Sequence, residues 1–76
     1  MYYVYVLKSI EFDKYYIGFT QDISKRLSEH NSKRSKYTRK YAPWELIYKE
    51  EYKIKEEATR REKYLKSGEG RRIFKK

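Results

Sequence analysis

Two runs near the N-terminus, Tyr2-Tyr3-Val4-Tyr5-Val6-Leu7-Lys8 and Tyr15-Tyr16-Ile17-Gly18-Phe19-Thr20, decide how this chain folds. Both consist of β-branched and aromatic residues, the types that fit a pleated, covered surface. The polar stretch 9–14 between them, centred on Glu11-Phe12-Asp13-Lys14, is too short for a parallel crossover and predicts an antiparallel hairpin. Gly18 stands inside the second run. A missing side chain there signals either a bulge or the close approach of another backbone or a ligand.

Working outward, residues 22–31 predict a helix with Thr20 or Asp22 as its N-cap. Ile23, Leu27 and His30 recur at i, i+4 and i+7 and mark its buried stripe, and Arg26 shares a row with His30 at the stripe's margin. Residues 32–43 are rich in Ser, Lys and Arg, end in Ala42-Pro43 and read as a basic loop. Residues 44–52 alternate and predict a third strand, with Trp44, Leu46 and Tyr48 on one face and Glu45, Ile47 and Lys49 on the other. A second helix is expected over 54–67, its stripe formed by Ile54, Ala58, Arg61 and Leu65 and its end marked by Gly68. Glu62 lies about 60° from the centre of that stripe, bordering the buried face. Residues 69–76 are expected to form a short helical tail or to fray. The order is β-β-α-β-α: an α/β (α+β) fold with a three-stranded antiparallel sheet flanked by helices, in one domain over residues 1–76.

The composition excludes several classes of function. With one His and no Cys, the chain has no disulfide, thiolate nucleophile or zinc finger. Ten Tyr, three Phe and one Trp supply the core in place of aliphatics, and such aromatic richness is the reverse of a disordered composition. No apolar run is long enough for a membrane-spanning helix and no leader pattern is visible, so the expected location is cytoplasmic. The net charge of +9 is concentrated. Residues 25–40 carry seven basic side chains against Glu29 alone, and residues 60–76 carry eight against Glu62 and Glu69. Concentrated positive charge points to a polyanion, foremost nucleic acid, with a solubilising surface as the plainer reading.

No Gly-rich phosphate loop, Ser-His-Asp constellation or two-metal carboxylate cluster is present. The polar residues placed at the margins of predicted elements are Tyr5, Tyr16, Arg26, His30 and Glu62, drawn from two strands and two helices, as a small site on a rigid scaffold requires. Each also has a structural reading: a core tyrosine, an exposed helix arginine, a packed histidine, or a surface glutamate paired with Arg61, Lys63 or Lys66.

Val4-Tyr5-Val6, Tyr16-Ile17-Gly18, Arg26 ten residues after Tyr16, and a Glu in the later helix together resemble the GIY-YIG nuclease domain, closest to small bacterial single-domain members and to the nuclease half of the repair endonuclease UvrC. The likeness runs over the whole chain and includes Lys25-Arg26-Leu27-Ser28-Glu29-His30-Asn31 and Thr38-Arg39-Lys40-Tyr41-Ala42-Pro43-Trp44. It implies a divalent-metal-dependent endonuclease that hydrolyses DNA phosphodiester bonds, in repair or recombination, on DNA that includes branched or structured forms. The resemblance carries roles to particular residues. Tyr16 is the general base or the group that orients the nucleophile, with Tyr5 beside it. Arg26 contacts the scissile phosphate, since its planar fork matches phosphate oxygens. His30 assists proton transfer, and Glu62 holds Mg²⁺ or Mn²⁺, with Glu57 as the rival ligand. Mg²⁺ keeps several waters and accepts one or two carboxylates plus substrate oxygens, so one protein ligand suffices. Gly18 leaves room for a phosphate. Lys25, Lys33, Arg34, Lys36, Arg39 and Lys40 hold the DNA backbone, and Tyr37 and Tyr41 either stack on an unpaired base or anchor the loop. The chain departs from the family pattern at Val4, Val6 and Phe19, and it has no Asn after residue 31. Those departures keep open a catalytically weak nucleic-acid-binding module with the same fold, and a basic protein whose partner is another protein.

Overall fold

Strand β1 (Tyr2–Ser9) is the centre of the sheet, with β2 (Tyr15–Thr20) antiparallel on one side and β3 (Trp44–Tyr52) antiparallel on the other. This is a computed structural model that describes residues 1–32, 36 and 38–75. Helix α1 (Ile23–Asn31) follows β2, a 3-10 helix (Arg39–Tyr41) precedes β3, and α2 (Lys55–Lys66) and a second 3-10 helix (Gly70–Ile73) close the chain. The β-β-α-β-α order and the three-stranded antiparallel sheet are as the sequence predicts.

Successive side chains of β1 alternate between two covered faces. Val4 and Val6 join Ile17 of β2 and Ala58 and Leu65 of α2 in one core; Tyr5 and Leu7 join Trp44, Leu46, and Ile23 and Leu27 of α1 in the other. The sheet thus lies between the two helices. The Asp22 side chain caps α1 by accepting from the Lys25 backbone N–H at 3.0 Å, and Thr20 Oγ1 accepts from the Asp22 N–H at 3.1 Å. At its other end the Asn31 side chain donates to the Trp44 carbonyl at 3.0 Å and accepts from the Trp44 N–H at 2.5 Å, which fixes the start of β3 against α1.

Three expectations change. Trp44, Leu46 and Tyr48 do not share a face. The β1–β3 register passes from Val6↔Tyr48 to Leu7↔Leu46, so Ile47 is an extra residue on β3. A bulge of this kind reverses the alternation beyond it. Trp44 and Leu46 therefore pack with α1, while Tyr48 and Tyr52 pack with α2. Ile54 is not in the apolar stripe of α2 but caps it, more than half exposed. Gly68 does not stop α2, which ends at Lys66, with the Ser67 hydroxyl donating to the Tyr64 carbonyl at 2.6 Å. The glycine the fold requires is Gly70, where a Cβ would lie 1.9 Å from the Tyr64 carbonyl oxygen. The tail that follows is docked: Ile73 and Phe74 pack on the α2-side core.

Candidate active site

On the α1 side of the sheet the β1–β2 register sets Tyr5 opposite Gly18 and Leu7 opposite Tyr16. Tyr5 is buried and its ring lies over the Gly18 Cα, where a Cβ would meet the Tyr5 hydroxyl oxygen at 2.8 Å. Gly18 was expected to leave room for a phosphate. That room is taken by Tyr5, so the glycine serves the packing of one tyrosine across another strand.

The α1 stripe delivers His30 and Arg26 to the same place. His30 is fully buried, its ring centroid 4.7 Å from that of Tyr16 and 6.3 Å from that of Tyr5. Its Nε2 lies 3.3 Å from the Tyr5 hydroxyl and its Nδ1 lies 2.7 Å from Thr38 Oγ1. Arg26, half-buried, reaches the Glu29 carboxylate at 2.8 Å and has the Tyr5 hydroxyl as its other polar neighbour. A guanidinium can only donate. With a donor-only guanidinium on one side, the Tyr5 hydroxyl can donate to His30 Nε2, an arrangement that pairs with the His30 proton on Nδ1, facing Thr38. The Thr38 carbonyl in turn accepts from Trp44 Nε1 at 2.8 Å.

The electrostatics agree with this chain of donors. Burial pushes the Tyr5 phenol up to about 12, against the opposing pull of the Arg26 hydrogen bond, so Tyr5 keeps its proton at neutral pH. Burial, reinforced by the Arg26 charge, holds His30 below its ordinary value of 6.5, so the ring is neutral. The hydrogen bond to Tyr5, with the one to Glu29, raises Arg26 and keeps it charged. Tyr5 and His30 are both buried, with almost no exposed surface. His30 was expected to assist proton transfer. Both of its ring nitrogens are engaged, by Tyr5 and Thr38, and it has no exposed surface.

Glu62 arrives from α2, on the other side of the sheet. It is largely buried, pairs with Lys66 at 3.4 Å, and lies near enough to raise the Tyr5 phenol slightly. Among the described residues no group of three His, Asp or Glu is placed to hold a metal. The donor set fits a divalent cation only as one carboxylate completed by waters and substrate oxygens, the arrangement Mg²⁺ tolerates. Glu57, the rival, is exposed and lines a different cleft with Tyr52 and Tyr64.

A family model described as the GIY-YIG catalytic domain matches residues 1–75. The chain belongs to the GIY-YIG family. This is a nuclease family. A relative, the UPF0213 protein of Streptococcus pneumoniae serotype 4, is 48% identical over 65 residues, which cover 84% of this chain and 65% of that protein. This chain thus spans about 65% of the length of that relative. A UPF0213 protein of Halobacterium salinarum is 40% identical over 67 residues, covering 87% of this chain and 86% of that protein. The solution NMR structure of a UPF0213 protein from Bacillus halodurans is similar with a TM-score of 0.56 and 33% identity, covering 95% of this chain and 79% of that one.

Within the GIY-YIG frame the basic residues divide. Lys25, Lys36, Arg39 and Lys40 are exposed, whereas Lys33, Arg34 and Tyr37 lie outside the described residues. Tyr41 is half-buried, edge-on to Phe12 at 5.4 Å, and its carbonyl accepts from Ser9 Oγ at 2.7 Å, contacts that tie it to the β1–β2 turn. Phe19 is committed to the α2-side core. The two basic segments come from elements on opposite sides of the sheet. Three residues went unassigned in the sequence: Thr38, which orients His30; Glu29, which holds Arg26; and Glu50, which accepts from Tyr48, from Tyr52 at 2.5 Å, and from Arg61 at 2.9 and 3.1 Å. Glu29 had a legible signal, since Arg and Glu three apart on a helix are neighbours. No helix among the described residues is long and apolar enough to cross a membrane.

Proposed function

We propose that the chain is a divalent-metal-dependent endonuclease acting on DNA, with Arg26, Tyr16 and Glu62 touching the reacting groups. The observation that supports this best is the arrangement of Arg26. A half-exposed guanidinium is held by a neutral phenol on one side and by Glu29 on the other, beside the half-buried Tyr16. Exchange of Glu29 for a phosphate leaves the Tyr5 bond in place and points the fork at two phosphate oxygens. As water adds to phosphorus and the leaving oxygen departs, negative charge grows on those oxygens, and a fixed cation stabilises it most at that stage. Tyr16 accepts a hydrogen bond from the attacking water and sets its line of approach. Glu62 would hold Mg²⁺ or Mn²⁺, which when bound supplies Lewis-acid stabilisation of the phosphate. Repair or recombination of branched DNA is the cellular setting we assign to it.

The test is cleavage of supercoiled, linear, single-stranded and branched DNA with and without Mg²⁺ or Mn²⁺. Tyr16→Phe, Arg26→Ala and Glu62→Gln should each remain folded and lose cleavage, Arg26→Ala by about 10²–10³ in rate. Metal-free DNA binding should survive Tyr16→Phe and tighten slightly in Glu62→Gln, which removes a carboxylate and frees Lys66. Cleavage at the parent rate by both Tyr16→Phe and Glu62→Gln would refute the assignment. Binding without cleavage by the parent protein would establish the binding module in its place.

A further inference from the structure

β2 is an edge strand, and its outer side opens onto a surface that the reading above does not use. A cleft of about 400 Å³ is lined by Tyr15, Tyr16, Ile17, Lys66 and Arg71. A second, of about 200 Å³, is lined by Gly68, Arg71, Arg72 and Lys75. Arg71 borders both, so the path from Tyr16 continues along the C-terminal 3-10 helix.

That helix is fixed in place. Gly70 is buried against the Tyr64 carbonyl, and its N–H donates to Ser67 Oγ at 3.0 Å. The Arg71 N–H donates to the Ser67 carbonyl at 3.1 Å, and the Lys75 N–H to the Arg71 carbonyl at 2.8 Å. Phe74 packs tilted against Tyr15, ring centroids 5.6 Å apart, and Lys75 Nζ lies 5.4 Å from the centre of the same ring. The cations it carries differ from the others near the site. Arg26, Arg61 and Lys66 each face a carboxylate, whereas Arg71, Arg72 and Lys75 face none among the described residues. Three exposed cations without acidic partners among the described residues, held on a docked turn that leads from Tyr16, have the chemistry of a polyphosphate strand's complement.

We propose that Arg71, Arg72 and Lys75 form a phosphate track that seats the sugar–phosphate backbone of DNA on one side of the scissile bond. The position of the scissile bond rests on the function proposed above; the track itself does not. It makes the C-terminal turn, in addition to the basic loop, a determinant of how DNA lies across the site.

The test is fluorescence anisotropy with a short fluorescein-labelled DNA duplex in EDTA, over about 50–200 mM salt. Arg72 and Lys75 make no side-chain hydrogen bond among the described residues, so Arg72→Ala/Lys75→Ala should stay folded, with at most the small loss of thermal stability expected of the exposed Lys75–Tyr15 contact. Loss of two phosphate contacts should flatten the slope of log affinity against log salt by about 1.8 and weaken binding about tenfold or more near 0.1 M salt. Lys53→Ala/Lys55→Ala removes the same charge from exposed positions at the junction of β3 and α2 and should leave the slope close to the parent's. Arg72→Lys should retain the slope. Equal effects of the two double variants, or an unchanged slope in Arg72→Ala/Lys75→Ala, would overturn the track. If the double variant fails to fold, Arg72→Ala alone gives the same reading with about half the change in slope. Cleavage is measured separately with Mg²⁺: a parent protein that binds through the track and does not cut refutes only the nuclease proposal, while one that cuts with a slope indifferent to Arg72 and Lys75 refutes only the track.

Discussion

Replacing Gly18 with alanine places a Cβ 2.8 Å from the Tyr5 hydroxyl oxygen, 3.0 Å from Tyr5 Cζ and 3.2 Å from Tyr16 Cε2. Ordinary contact begins near 3.4 Å, so the Tyr5 ring must retreat by roughly half an ångström. It has little room to do so, being buried against Leu7 and Trp44 and bonded to His30 at 3.3 Å. Overpacking of this kind costs about 1–3 kcal/mol. No glycine in the chain has a positive φ, so alanine meets no backbone strain and recovers about 0.5–1 kcal/mol through its better strand propensity. The net loss is about 1 kcal/mol, a fall in Tm of roughly 4–8 °C for a domain of this size. Thermal and urea denaturation followed by circular dichroism measure it. A double-mutant cycle isolates the cause: Tyr5→Phe removes the closest contact, so it should be less destabilising when combined with Gly18→Ala than in the parent by about 0.5–1.5 kcal/mol. A Gly18→Ala protein as stable as the parent, or a Tyr5→Phe effect identical on the two backgrounds, would refute the argument that Gly18 exists to admit Tyr5.

Two more predictions concern pH and the α2-side network. Because the folded chain holds His30 below 6.5, the unfolded chain takes up that proton first as pH falls; stability should therefore decline from about pH 6.5 downward until the folded ring also protonates, with a slope of at most about 1.4 kcal/mol per pH unit. Denaturation midpoints from pH 7.5 to 5 should show this slope in the parent and lack it in His30→Gln, and a parent flat across that window would contradict a neutral, buried His30. Glu50 behaves in the opposite sense and in a different window: burial alone would raise it, but hydrogen bonds from Arg61, Tyr48 and Tyr52 outweigh burial and hold it below 4.5, so its contribution is complete above that pH and is lost below it. Glu50→Ala strips the acceptor from two phenols and a guanidinium and should lower stability by about 1–3 kcal/mol in urea titrations, a loss that a merely exposed glutamate would not show.

Much of the architecture follows from patterns that a few consecutive residues carry. Alternating aromatic and β-branched residues specify strands, the 2–8 and 15–20 runs with a short polar link specify a hairpin, and Asp22 before Ile23 specifies where α1 begins, because each is settled by contacts within a turn or two. The candidate site was legible as a set of residue types, with Tyr5, Tyr16, Arg26, His30 and Glu62 all on element margins, but their division of labour was not. Whether His30 faces substrate or the core depends on Thr38, eight residues away on a loop, and on Tyr5, twenty-five residues away on another strand. The purpose of Gly18 depends on strand register, which puts Tyr5 and no other residue opposite it. The bulge at Ile47, which hands Trp44 and Leu46 to one core and Tyr48 and Tyr52 to the other, leaves only an ambiguous local mark: Leu46, Ile47 and Tyr48 are three consecutive apolar residues, and which of them is the extra one is settled only by pairing with β1. The docking of Ile73 and Phe74 likewise waits for the α2-side core to exist, since a short 3-10 turn has no stability of its own. Sequence determines what is fixed by neighbours along the chain; tertiary structure decides which distant partners meet, and in this protein those meetings set the hydrogen-bond directions and the charge state of the site.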